Sequence, residues 1–319
     1  MQPTLLSLEA LETDRQFVER QLKEAAGSAW GTSRLMWDNR LKEIDEQIAS
    51  LRAKSNSYAS VALIFDGLPV IGQGDIRLDF STDALDSYQK MIAMALAAQQ
   101  GDALPDRGRV KGAEKARLFI RDLVRGSMGF VLEEIAPEQQ ELVATPLKHA
   151  VEDATSLIRL LSEEPEERFA EALEETQPRL IAAVQKFAKV LHEAGASTRI
   201  VGDENRVSLS SEAVARLTEK LNEVEVKDDV ERFDGVLLGI LPDAHQFELR
   251  IEGDHPTMKG AVADDLVTKY LADVQFKEQL LLKPVRASIK FVRTLRNGKL
   301  VKEQRILENL EPLAQIGSG

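Results

Sequence analysis

The sequence predicts an α+β protein built from three consecutive parts. Apolar residues recur at steps of three and four within residues 4–54, which is the spacing of packed helices. Period-two segments then alternate with helical segments, and strand-like segments dominate from residue 230 onward. We therefore expect an N-terminal antiparallel helical hairpin over residues 1–56, a central α+β domain with a small antiparallel sheet over 57–228, and a small β-barrel over 229–315.

The N-terminal hairpin is predicted from two amphipathic helices separated by a segment with two glycines. Five apolar residues of the second helix are spaced by 4, 3, 4 and 3 residues, as in a coiled coil: Trp37, Leu41, Ile44, Ile48 and Leu51. Each seam is only about three heptads long, so the hairpin either lies on the body of the protein or joins a hairpin of another chain. The second alternative makes these five residues a candidate oligomer seam.

The central domain begins with segments of period two. "SVALIF" and "DIRLDF" are predicted strands, the second with Ile76, Leu78 and Phe80 on one face. A helix with Tyr88 and Ile92 on its apolar stripe follows. Later helices over 147–161, 180–191 and 214–221, with a hairpin at "STRIVGDENRVSLSS", complete the expected α+β domain.

Residues 117–134, "RLFIRDLVRGSMGFVLEE", resemble an active-site loop at first sight. The segment G-S-M-G does not match the G-x-S-x-G of a nucleophile elbow or the G-x-x-x-x-G-K-[ST] of a phosphate loop. Alternating apolar residues on both sides instead indicate two strands joined by a turn over 126–129. A backbone nest that binds an anion stays open as an alternative.

The C-terminal part is predicted to be OB-like from its order of elements. Five strand segments occur, with one helical segment, "DDLVTKYLADV", after the third, and an Asn297-Gly298 turn joins the last two. The five segments are "RFDGVLLGIL", "QFELRI", "TMKGAV", "VRASIKFV" and "KLVKEQRILENL". This order is that of a small OB-type barrel, by analogy of fold alone.

Composition restricts the function classes. The chain is 43% hydrophobic and 29% charged, with a net charge of −12, so overall charge does not attract nucleic acid or an anionic membrane. There is no cysteine, which excludes disulfides, thiolate metal sites and cysteine nucleophiles. The start lacks a signal-peptide pattern and the longest apolar stretch is short, so we expect a cytoplasmic protein without a membrane span.

Histidines and acidic residues offer one weak candidate for chemistry. Two Asp–His pairs, Asp243 with His245 and Asp254 with His255, lie in the predicted barrel and would converge if its first three strands pair. The four histidines of the chain show no H-x-H or H-x-x-x-H spacing, so polar surface loops explain these residues more simply. We expect no metal and no cofactor.

A basic segment over residues 283–305 departs most from the rest of this acidic chain. It holds eight basic residues against one acid: Lys283, Arg286, Lys290, Arg293, Arg296, Lys299, Lys302 and Arg305. Arg286 and Lys290 are predicted to share one face of a strand. Three interpretations stay open: a nucleic-acid surface, a docking surface for acidic helices of this chain or of a partner, and a solvated face.

The sequence shows no assembled catalytic motif. We therefore expect a non-catalytic interaction or scaffold protein of a cytoplasmic assembly, which binds itself and another protein. The alternative is a nucleic-acid-associated protein that uses the basic segment. A third hypothesis, an enzyme with a dispersed site, is left open.

Overall fold

A computed structural model describes residues 3–25, 31–53, 56–72, 74–99, 113–124, 128–135, 143–163, 165–252 and 257–313. Its α-helices are α1 (Thr4–Ala25), α2 (Gly31–Ala53), α3 (Leu78–Gln99), α4 (Pro146–Ser162), α5 (Glu166–Glu175), α6 (Pro178–Glu193), α7 (Ser211–Asn222), α8 (Asp264–Ala272) and α9 (Val274–Leu280). Its strands are β1 (Ser60–Gly67), β2 (Val70–Ile71), β3 (Asp75–Ile76), β4 (Phe119–Leu123), β5 (Met128–Glu133), β6 (Ala196–Val201), β7 (Arg206–Leu209), β8 (Val224–Leu241), β9 (Gln246–Ile251), β10 (Met258–Val262), β11 (Pro284–Arg296) and β12 (Lys299–Pro312). The predicted α+β class is confirmed.

The predicted N-terminal pair of helices is present as α1 and α2. Val18, Ile44 and Ile48 form the centre of their shared apolar core. The first turns of α1 rest on the body of the protein, where Leu5 and Leu6 pack against the outer face of the central sheet. The rest of the hairpin extends from this base.

The central sheet has the strand order β4-β5-β1-β6-β7 and is antiparallel throughout. Residues on the inner face of the sheet form one large apolar core with residues of helices α3, α4, α6 and α7. The outer face carries a smaller cluster around Ala62, Ile64, Val131 and Val201, which α1 partly covers. The sheet is thus enclosed by helices on one face and capped by the hairpin on the other.

One predicted strand of the central domain is wrong, and the predicted pair of strands around residues 126–129 is confirmed as β4 and β5 with a shorter turn. The predicted strand "DIRLDF" ends at Ile76, and α3 begins at Leu78, so Phe80 is buried on a helix and not on a strand. Alternation over so few residues did not distinguish a strand from the first turn of an amphipathic helix. Met128 and Gly129 belong to β5 and not to the turn, while Gly126 and Ser127 lie outside the described residues. A Cβ at Gly129 would come within 2.9 Å of the Ile64 side chain, so close strand packing explains that glycine.

The C-terminal strands pair in a closed ring with the order β10-β12-β11-β8-β9, and β9 pairs with β10 to complete it. The pair β10–β12 is parallel and the other pairs are antiparallel. Helices α8 and α9 follow the third strand, where one helix was predicted. Asn297 and Gly298, at φ 49° and 75°, form the predicted turn between β11 and β12.

Two strands of the ring, β8 and β11, are much longer than predicted, and β12 is longer by two residues. β8, β11 and β12 have 18, 13 and 14 residues, and their paired ends extend from the ring toward the helices of the central domain. β8 starts directly after α7, so the predicted domain boundary at residue 228 falls within a continuous strand. This three-stranded extension carries most of the basic segment.

Candidate functional site

Arg286 lies on the ring and is paired with an acid of the neighbouring strand. Its guanidinium donates two hydrogen bonds of 2.7 Å to the carboxylate of Asp234, which stands opposite on β8. The hydrogen bond from Arg286 holds the pKa of the Asp234 carboxyl below its ordinary value. Since both side chains are exposed, this pair contributes little to stability, but it neutralises the charge of Arg286 locally.

Lys290 lies on the same face of β11 as Arg286, as predicted, but unlike Arg286 it is buried. The Lys290 residue is only 2% exposed, and its ammonium lies 3.2 Å from the carboxylate of Asp228. Burial lowers the pKa of Lys290. This face of β11 is covered beyond Ser288, because a second apolar cluster around Val292 and Ile306 lies there.

Arg293 binds three acidic residues at once. Its guanidinium nitrogens lie 2.9 Å from Glu303, 3.2 Å from Asp229 and 3.3 Å from Glu231. The same Glu303 accepts a hydrogen bond of 3.0 Å from Arg305. The positive charge of both arginines is therefore balanced by acids of β8 and β12.

Arg296, at the end of β11, reaches the helices of the central domain. It donates a hydrogen bond to Glu166 at the start of α5 and two, of 3.1 and 3.2 Å, to Glu223 at the end of α7. Its guanidinium carbon lies 4.8 Å from the ring centre of the buried Phe169. Desolvation opposes ionisation of Glu166, yet Arg296 and Lys220 together hold the pKa of its carboxyl below the ordinary value.

The turn after Arg296 and the next strand extend this contact. The Asn297 backbone N–H donates to the Glu223 carbonyl at 3.0 Å. Lys302 donates to the carbonyl oxygens of Glu175 and Thr176, at 2.9 and 3.0 Å, where α5 ends. A cation at a helix C-terminus satisfies terminal carbonyl groups and interacts favourably with the helix dipole.

We call Arg296, Asn297 and Lys302 with their partners on α5 and α7 the clasp. It joins the ring to the acidic helix α5, so two residues of the basic segment, Arg296 and Lys302, contact an acidic helix of the same chain. The two remaining basic residues, Lys283 and Lys299, are exposed. The eight residues therefore do not form one continuous positive surface.

The predicted oligomer seam faces the chain's own first helix. Ile44 is fully buried and Ile48 is 8% exposed, and Trp37 and Leu41 pack against the same cluster. Leu51 is half-buried. Within the hairpin, α1 of the same chain thus covers Ile44 and Ile48.

The histidine candidate is only partly assembled. His245 Nδ1 lies 3.0 Å from Asp264 Oδ1 at the start of α8, and not against Asp243. Asp254 and His255 lie outside the described residues. In the described ranges no three His, Cys, Asp or Glu side chains come together as a metal site would require.

A buried charged network that the sequence did not reveal lies at the base of the hairpin. The carboxylate of Glu152, on α4, accepts backbone N–H bonds of 2.9, 3.1 and 2.7 Å from Asp203, Glu204 and Asn205 in the β6–β7 turn. Lys148, one turn earlier, lies 3.4 Å from Asp203 and donates to the Asn56 carbonyl. Asp203 also accepts the Thr4 N–H at 2.8 Å, which fixes the first turn of α1. In the sequence, the only sign of this network is that Lys148 and Glu152, four positions apart, lie beside the apolar stripe of α4.

A hollow of about 400 Å³ lies on the outer face of the central sheet. Several of its polar lining groups are hydrogen-bonded or paired within the chain. Arg199 binds Glu9 at 2.6 Å, Asp66 accepts the Gly67 N–H at 2.7 Å, and Ser210 accepts the Ala213 N–H at the start of α7. These three lining groups are therefore bonded to other residues of the chain.

Comparison with known proteins identified no relative: no family model, no curated protein and no solved structure matches the chain. Among the described helices, none has the length and apolar character needed to cross a bilayer.

Proposed function

We propose that this is a non-catalytic interaction or scaffold protein of a multi-protein assembly, which acts through association with itself and with another protein. The proposal includes a cytoplasmic location and no cofactor. The observation that carries it is a set of exposed apolar side chains on the distal half of the N-terminal hairpin.

This distal patch consists of Phe17, Leu35 and Met36, which are 51%, 64% and 57% exposed. Phe17 packs edge-on against Trp37, with ring centroids 6.2 Å apart, so the patch spans both helices. Residue 17 lies about 20 Å along α1 from its start, at 1.5 Å per residue. Apolar side chains held away from the body on a pair of helices suit an amphipathic helix of another protein.

A double substitution, Phe17→Glu with Met36→Glu, tests this proposal. In cells that produce the protein naturally, some proteins should copurify with it and crosslink to the hairpin. We expect the amount of crosslinked protein to fall at least tenfold in the double variant, since a charge in the patch opposes apolar docking. The matched control is Leu241→Glu with Leu271→Glu, at sites 56% and 61% exposed on the ring side. Equal losses in both variants, or no protein crosslinked to the wild-type hairpin, would contradict the proposal.

Nucleic-acid association is the second candidate function. We keep the OB-like barrel as a proposal, supported by five strands in a ring with helices after the third. OB-type modules bind nucleic acid partly through the loop between their last two strands. Here that loop belongs to the clasp, where Asn297 and Arg296 contact Glu223. Binding of labelled DNA or RNA that weakens steeply between about 50 and 200 mM salt would favour this candidate.

A further inference from the structure

The two edges of the central sheet differ in a way that indicates a partner for one of them. Edge strand β7 exposes only polar residues, Arg206 and Ser208. Edge strand β4 is exposed along its whole length and carries apolar residues on both faces. Phe119, Ile120 and Leu123 are 45%, 58% and 51% exposed. An edge strand with this composition is a template for pairing with another strand.

A β-bulge determines which face each residue of β4 occupies. Ile120 and Leu123 stand opposite Leu132 and Phe130, which face the helix-covered core. Asp122 stands opposite Val131 of the outer cluster, and Val124 packs against that same cluster. Arg121 is the additional residue, and its guanidinium lies 3.8 Å from the carboxylate of Glu133. Without the bulge, Ile120 and Leu123 would lie on opposite faces.

This arrangement makes the strand complementary to itself. Directly opposed residues of an antiparallel pair share a face. A two-fold axis between Arg121 and Asp122 places Ile120 opposite Leu123 of the second copy on the inner face. It places Phe119 opposite Val124 on the outer face. Arg121 of each copy then stands opposite Asp122 of the other, so each of the two pairs joins a positive and a negative charge.

We propose that β4 is the self-association surface of this protein, and that two copies pair antiparallel through β4 to form one continuous sheet of ten strands. The partner is a second copy of this chain, because in that register the charged and apolar residues of β4 complement those of an identical strand. The inference rests on the proposed function, for which it names the surface of self-association. A two-fold interface of this kind closes on itself and limits the assembly to a dimer.

Two exposed charge substitutions test the register through the mass of the full-length chain in solution. The wild-type chain, of 35.4 kDa, is expected to sediment as a dimer at micromolar concentration. Arg121→Asp and Asp122→Arg should each raise the dimer dissociation constant at least tenfold, because each places like charges opposite one another. The combined variant Arg121→Asp/Asp122→Arg should dimerise again, and an equimolar mixture of the two single variants should form a heterodimer.

Each other outcome has a defined meaning. A monomeric wild-type chain would overturn the inference and would show that the bulge protects the edge, as bulges do in many sheets. A dimer that is insensitive to both single substitutions would overturn pairing through β4 but leave self-association by another surface standing. A Phe17→Glu/Met36→Glu variant should keep the dimer mass, which separates this surface from the distal patch.

Discussion

Replacing Glu152 with alanine is expected to lower the free energy of unfolding by about 3–5 kcal/mol, the range for breaking a buried, hydrogen-bonded charge. Glu152 is 6% exposed, and its carboxylate is the acceptor for three consecutive backbone N–H groups of the β6–β7 turn. The substitution leaves these donors without that acceptor and opens space beside Gly202, where the carboxylate oxygen now lies. The turn and the first turn of α1 are expected to loosen together, because both depend on the position of Asp203.

Urea denaturation of the full chain measures this loss, and hydrogen exchange locates it. Asp153→Ala is the matched control, since Asp153 is the exposed neighbour of Glu152 on α4. We expect the control to change stability by less than about 0.5 kcal/mol, as surface substitutions usually do. A Glu152→Ala variant as stable as this control would show that the carboxylate does not hold the turn.

The same residue predicts a dependence on pH. Burial raises the pKa of the Glu152 carboxyl above its ordinary value of 4.5, although hydrogen bonds from the β6–β7 turn lower it in part. A raised pKa in the folded state means that the folded protein binds the proton more tightly than the unfolded chain does. The stabilisation from this proton linkage is present below pH 4.5 and is lost as the pH rises through the folded pKa. The stability difference between wild type and Glu152→Ala should therefore widen as the pH is lowered from 7.

The second large effect is expected in the hairpin. Ile44→Asp with Ile48→Asp places two carboxylates in the core between α1 and α2, where Ile44 has no exposed surface. We expect the local stability of the hairpin to fall by about 3–5 kcal/mol, the scale of severe core disruption. Because the partner of this core is α1 of the same chain, the mass in solution should stay unchanged.

Hydrogen exchange of α1 and α2, together with sedimentation, separates the two effects. The control is Gln47→Asp, which adds a carboxylate at an exposed position of the same helix. Fast exchange confined to the hairpin with an unchanged mass is the expected result. A loss of mass without loss of helix protection would place Ile44 and Ile48 at an interface between chains.

Much of the fold follows from local pattern. Val214, Leu217 and Leu221 occupy the buried face of α7 as their helical spacing predicts. Asn297-Gly298 forms the turn it predicts because both residues accept positive φ. The order of the ring strands along the chain was also predicted correctly. Each strand has its own alternation or apolar run, bounded by turn residues.

The environment of the basic segment did not follow from the sequence. A strand pattern gives the face of a residue but not what covers that face, and Lys290 is buried because other elements cover it. The acidic partners of Arg296 are separated from it by 130 and 73 positions along the chain, so only tertiary structure brings them together. The role of Glu152 was not predicted because, in the sequence, a carboxylate at the edge of an apolar stripe resembles an ordinary solvated residue.

The clasp holds the ring on α5 and α7 through Arg296, Asn297 and Lys302. A double-mutant cycle with Arg296→Met and Glu166→Gln in the intact protein tests it most directly, by urea denaturation at low salt. We expect a coupling energy of about 1 kcal/mol, the upper range for partly exposed ion pairs, which salt reduces. Additive effects of the two substitutions, with no change in hydrogen exchange at the start of α5, would contradict the claim and leave Arg296 free to bind another molecule.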